Sequence, residues 1–295
     1  MGSDRHEFGD GRLTATVTAA GAELVALDVV GDGARSLLWA GVDPWPRHSP
    51  VLFPIVGRIP DDRLPWGDRE VRLKQHGFAR DRVFQWVERT DDGCVLELAD
   101  DEASRAIFPA AFRLRLNYRV TDGRLHVGYA LHNPDGEAVL HASVGAHPAF
   151  AWPQEAGAAR EAHRLIFDRA EVAPIRRVEG GLMRAEAEPT PVVGRELALS
   201  DALFEDDAVI FKPILSDSVR FVGPKGTGIE VGWQGFPELG VWTKVGAAFL
   251  CIEPWHGYAT PQGFAGDFAA KPGNIHLRPG KTWEASWTVR AVEGD

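Results

Sequence analysis

Between Phe112 and Val120 every second residue is apolar, and Arg113, Arg115, Asn117 and Arg119 fill the positions between. A period of two sends those two sets to opposite faces of an extended strand. Thr121-Asp122-Gly123 interrupts the run, and a second alternating series continues through Leu125, Val127, Tyr129 and Leu131. Together they predict a β-hairpin. Comparable runs recur near residues 12–18, 22–30, 83–90, 93–99, 138–146, 163–168, 218–223, 228–233, 247–253 and 282–290. Helical candidates are few and short, one near 101–107 and another near 264–270. Many short strands, Gly- and Pro-rich turns and almost no amphipathic helix predict an all-β chain folded as a large antiparallel β-sandwich.

At 295 residues the chain is long enough for two ordinary domains, but a β-sandwich of that size also forms a single unit. No low-complexity linker divides it. Residues 153–162 read as a surface excursion and residues 169–200, rich in charge and proline, as a long irregular connection. The expectation is one domain spanning 1–295. A propeller would need a repeat of roughly 40–50 residues, and none is visible.

Composition narrows the partners. Hydrophobic residues make up 44% of the chain and charged residues 25%, enough for a sizeable core. A formal net charge of −10 disfavours a nucleic-acid backbone or an anionic membrane as partner. The 10 tryptophans and 15 phenylalanines fill a core, and their flat faces also suit the C–H faces of sugars. Cys94 and Cys251 each sit inside an apolar run, which reads as buried thiols in a reducing compartment and not as a disulfide framework. The first residues lack the apolar region of a secretory signal, and no run approaches the roughly 18 apolar residues of a membrane span. A cytoplasmic protein without membrane contact is expected, as monomer or homodimer.

Three segments break the alternation by placing polar residues in tight Gly/Pro settings. The first is Ser49-Pro-Val-Leu-Phe-Pro54-Ile-Val-Gly57-Arg58-Ile59, followed by Gln75-His76-Gly77-Phe78-Ala79-Arg80-Asp81. The second is Val144-Gly145-Ala146-His147-Pro148-Ala149-Phe150, and the third Phe249-Leu-Cys-Ile-Glu253-Pro254-Trp255. Glu253 ends an apolar run, Pro254 is expected to stop the strand, and Ile252 and Trp255 bracket the carboxylate as a pocket wall would. A strand-end Glu in a surface ion pair fits the same letters. His147 and His76, each beside Gly or Pro, also fit structural histidines held by hydrogen bonds. Arg58 and Arg80 are surface charges or forks onto an oxygen-rich ligand.

The ordered set of these motifs resembles the aldose 1-epimerase (galactose mutarotase-like) family, in its LacX-like branch, from about residue 10 to 290. The resemblance implies a β-supersandwich with a sugar cleft. It implies Glu253 as general base, His147 as general acid, and His76, Arg58 and Asp207 as sugar ligands, with Asp206 the alternative to Asp207. Arg80 and Trp255 are further candidates for substrate contact. The chain carries Gly57-Arg58 and Gln75-His76-Gly77-Phe78 where the better-known galactose mutarotases have an Asn-Arg pair and a Leu-His-Gly-Gly segment, so galactose is not assured as substrate.

The chemistry suits those residue types. Interconverting sugar anomers moves one proton off the C1 hydroxyl and one onto the ring oxygen, which needs an acid and a base at one carbon. No cofactor is expected, and no metal, because the chain has no His-x-His or paired-cysteine spacing. Gly223-Pro-Lys-Gly226-Thr-Gly228 resembles a phosphate loop but leads into a strand pattern, so it reads as a hairpin turn. The rival functions are a hexose-6-phosphate 1-epimerase, a non-catalytic sugar-binding sandwich, and a glycosidase using Glu253 with Asp207.

Overall fold

Strand Arg113–Thr121 realises the alternation directly: its even-numbered residues are buried and its odd-numbered ones exposed. It pairs with Arg124–His132 in a register that sets Thr121 opposite Arg124. Asp122 and Gly123 alone make the turn, with φ of +53° and +68°. Both lie in the left-handed region, the turn whose twist matches that of the flanking strands. A computed structural model describes residues 4–294 of the chain.

This hairpin is the middle of a nine-stranded sheet. Its order is Glu196–Ala198, Arg164–Phe167, Ser218–Val222, Gly228–Gln234, Thr282–Val292, Arg124–His132, Arg113–Thr121, Gly93–Ala99 and Gln85–Thr90. All its pairings are antiparallel. A second sheet runs Val209–Phe211, Glu238–Trp242, Phe249–His256, Val144–Ala146 and Val51–Leu52, with Ala149–Ala151 also on Phe249–His256. A four-stranded sheet from Arg5–Gly9 to Arg35–Ser36 closes one side. The main core joins Leu114, Leu116, Val127 and Trp287 of the large sheet to Leu250 and Ile252 of the second and Leu13 and Val17 of the third. With Leu250 and Ile252 facing that core, Cys251, Glu253 and Trp255 face the opposite side of their strand.

Several local expectations change. The strand does not stop at Pro254 but continues to His256, every residue before His256 being buried. Ile252 donates its N–H to the Pro148 carbonyl, and residue 254, two further on, faces the same edge. The register that sets Gly145 opposite Trp255 puts Pro254 opposite Ala146, so the strand runs on with one ladder donor missing. The helix near 101–107 is a single turn, Glu102–Arg105, capped by Asp101 and Ser104. That near 264–270 is only the 3₁₀ turn Phe268–Ala270, capped by Asp267. Residues 169–200 are not wholly irregular, since Val178–Glu179 pairs with Leu182–Met183. The excursion at 153–162 is partly inside, with Gln154 and Glu155 buried. The phosphate-loop lookalike is the hairpin turn between Ser218–Val222 and Gly228–Gln234, and both cysteines are free and buried.

Candidate active site

Phe249–His256 pairs with Val144–Ala146 at one end and with Ala149–Ala151 at the other. Gly145 lies opposite Trp255 and Ala149 opposite Cys251, so both ladders share one register across the gap. His147 therefore stands opposite Glu253, and directly opposed residues of an antiparallel pair share a face. Nε2 of His147 lies 3.2 Å from Oε2 of Glu253, both side chains almost wholly buried.

These two residues form the floor of a cavity of about 260 Å³. Trp45, Trp242 and Trp255 supply aromatic walls, and Val178 and Gly181 close one side. Trp45 stacks on the His147 imidazole with ring centroids 5.1 Å apart, and Trp242 meets it edge-on at 5.9 Å. The Trp255 indole covers two glycines: a Cβ on Gly240 would come within 2.3 Å of its ring, and one on Gly145 within 2.6 Å. Only bare backbone at those positions leaves room for the ring.

Gln75, His76 and Arg80 enter from the loop 74–81, which is locked onto the backbone of the Phe53–Gly57 segment. Phe78 donates to the Phe53 carbonyl and His76 to that of Gly57. Gly77, at φ +72°, lies so close that a Cβ would meet the Phe53 oxygen at 2.2 Å. The Gly57 N–H in turn donates to Nδ1 of His76 at 3.2 Å. A backbone N–H can only donate, so neutral His76 carries its proton on Nε2. The His76 and His147 rings meet edge to face at 5.6 Å. Arg80 donates to the Gln75 carbonyl at 2.7 Å, while its buried Nε has no hydrogen-bond partner and lies 4.0 Å from Asp81 Oδ2.

Burial governs the electrostatics. It pushes the Glu253 carboxyl well above the usual carboxylate range; Asp207 adds to the rise and the Trp255 indole N–H opposes it. Burial lowers His147 to about 3, with Arg80 and Arg47 adding to the fall and Glu23 opposing it. His76 is also held well below the imidazole range by burial and by His147, Arg80 and Arg47. Burial thus favours neutral groups, an imidazole beside a protonated carboxyl, over the ion pair those residue types suggest.

Of the residues expected from sequence, Glu253, His147, His76, Asp207, Arg80 and Trp255 all line this one cavity. Arg58 does not: its Nε donates to Asp62 at 2.8 Å, and the side chain is half-buried. Asp206 points to Arg184, which it binds through both oxygens, leaving Asp207 as the lining carboxylate. Its backbone, at φ +63°, is left-handed, and its Oδ1 accepts the Ala208 N–H. Sequence reasoning missed Trp45 and Trp242. Trp45 lies in Asp43-Pro-Trp-Pro46, where flanking prolines were the available sign of a fixed loop; Trp242 ends an ordinary strand. No helix among the described residues is long and apolar enough to cross a membrane.

Residues 4–290 match the family model described as aldose 1-epimerase. The plasmid-encoded protein LacX of Lactococcus lactis subsp. lactis is 26% identical over 269 residues, covering 88% of this chain and 90% of LacX. An X-ray structure of a galactose mutarotase related enzyme from Lactobacillus acidophilus is 28% identical, with a TM-score of 0.88 over 98% of both chains. A galactose mutarotase-like protein from Lactobacillus casei is 26% identical, with a TM-score of 0.89 over 98% of this chain and 100% of that one.

Proposed function

Because the chain belongs to the aldose 1-epimerase family of isomerases, we propose that it interconverts the α and β anomers of a free aldose, with Glu253 and His147 exchanging the protons. The observation that carries this reading is the 3.2 Å contact between the two groups on a cavity floor. The C1 hydroxyl oxygen and the ring oxygen are bonded to the same carbon, so an acid and a base placed side by side reach both.

In ring opening Glu253 takes the C1 hydroxyl proton while His147 gives a proton to the ring oxygen. The C1–O5 bond breaks and the aldehyde forms. That step leaves Glu253 protonated and His147 neutral, the state burial favours. Rotation about C1–C2 presents the other face of the aldehyde. Ring closure then returns the proton from Glu253 to the C1 oxygen, and His147 takes the one from the attacking hydroxyl. A proton shift across the contact converts the neutral pair to the ionised one, so the couple carries one shared proton throughout.

His76, donating through Nε2, with Gln75 and Asp207, offers hydrogen bonds to the remaining hydroxyls. The tryptophan walls offer apolar faces to the C–H groups of the ring. Arg80 is the only Arg or Lys among the lining residues, and the carboxyls of Asp207 and Glu253 line the same cavity. That balance favours a neutral sugar over a dianionic sugar phosphate.

The test follows anomer equilibration of freshly dissolved α-sugars by polarimetry across a panel of aldoses, extended to glucose 6-phosphate at two salt concentrations. Acceleration of a free sugar that disappears in Glu253→Gln is expected. A preference for the phosphate that weakens as salt rises would reverse the substrate assignment and make Arg80 its ligand.

A further inference from the structure

Cys251 lies two residues before Glu253 on the same face of the same strand. Its Sγ, a carboxylate oxygen of Glu253 and a ring nitrogen of His147 all lie within 4.8 Å of one another. The three residues are buried, and the thiol is not in a disulfide. Oε2 of Glu253 and Nδ1 of His147 both lack a hydrogen-bond partner. Three atoms so spaced surround a point no more than about 2.8 Å from each, so shifts of under about 1 Å give zinc-like distances of roughly 2.0–2.3 Å. A thiol, an imidazole and a carboxylate form a donor set for a borderline-soft cation, not for magnesium or calcium. Glu253 and His147 line the cavity, which gives a cation an entry path.

We propose that His147, Cys251 and Glu253 form an inhibitory site for a thiophilic divalent cation, Zn²⁺ or Cd²⁺, reached through the sugar cavity. On binding, metal–sulfur and metal–oxygen bonds form, and both the Cys251 thiol proton and the proton shared by Glu253 and His147 pass to solvent. The cation occupies lone pairs that proton transfer to and from the sugar requires, so it competes with turnover. The inhibition rests on the proposed function; the binding does not.

Cd²⁺ titration of the whole protein tests both, because a cadmium–thiolate bond has its own ultraviolet charge-transfer absorption, independent of activity. Wild type and Cys94→Ser, altered at the other thiol, should show the band at one equivalent and lose turnover in parallel. Cys251→Ser and Cys251→Ala should lack the band, keep their metal-free turnover, and need at least tenfold more Cd²⁺ for the same inhibition. Melting curves verify that each variant is folded. Absence of the band in wild type, its persistence in either Cys251 variant, or equal inhibition of all forms would overturn the site. A band at one equivalent with undiminished turnover would uphold the binding, refute the inhibition, and remove the acid–base roles of Glu253 and His147.

Discussion

His147 and Glu253 touch at 3.2 Å, yet burial disfavours the charged form of each. One proton shared by the two suffices for an acid and a base, whichever atom carries it. The pH profile therefore reports the gain of a second proton or the loss of the shared one.

The acid limb of kcat/KM should fall toward about 3, the value to which burial lowers His147. The alkaline limb should appear only where Glu253 loses a proton held far above the carboxylate range. Between about pH 5 and 7 the profile should be flat. An inflection at an ordinary imidazole value would show that the resting pair is ionised.

Glu253→Gln should lower kcat by about 10²-fold or more, because a neutral amide cannot accept the C1 hydroxyl proton. His147→Asn should cripple kcat in the same way. His76→Asn should raise KM at least as much as it lowers kcat, its Nε2–H serving orientation. Steady-state kinetics on the three variants separate the roles, and a reversed pattern for the two histidines would exchange them.

Stability should respond to the same burial. The folded state keeps the Glu253 proton above the ordinary value of 4.5, where the unfolded chain has lost it. Stability thus falls as pH rises through that window, by at most about 1.4 kcal/mol per unit. For His147 the unfolded chain binds the extra proton between about 3 and 6.5, so its contribution is lost as pH falls through that range. The Tm of Glu253→Gln relative to wild type should rise from pH 4.5 to pH 8. A pH-independent difference would mean that the carboxyl is not held protonated.

Gly240→Ala should be costly although its backbone is ordinary for a strand. The new Cβ meets the indole of Trp255, a cavity-lining residue, at 2.3 Å, so the ring must shift. Overpacking of this kind costs about 1–3 kcal/mol, and KM should rise with it. Unchanged Tm and KM would show that the ring is free to move elsewhere.

Chelators should leave activity intact, since none of the proposed proton transfers needs a metal. EDTA inactivation reversed by a divalent cation would contradict the mechanism.

Alternation along segments such as Phe112–Val120 was enough to place strands and to choose which side chains face inward, because that depends only on a two-residue period and on burial of apolar groups. The Gly/Pro-bracketed polar segments also carried half of the residues that line the cavity. Neither signal says which remote strand lies beside which. The shared register that sets His147 across from Glu253, and so brings Cys251 near both, arises from the pairing of the whole sheet. Long side chains were the least legible. Arg58 and Arg80 sit in similar motifs, but Asp62 holds one outside while the loop locked on Phe53 carries the other in. Trp45 and Trp242 complete the walls from stretches outside those segments. A flexible or aromatic side chain goes where its neighbours leave room or a partner, and only the packed tertiary structure supplies those neighbours.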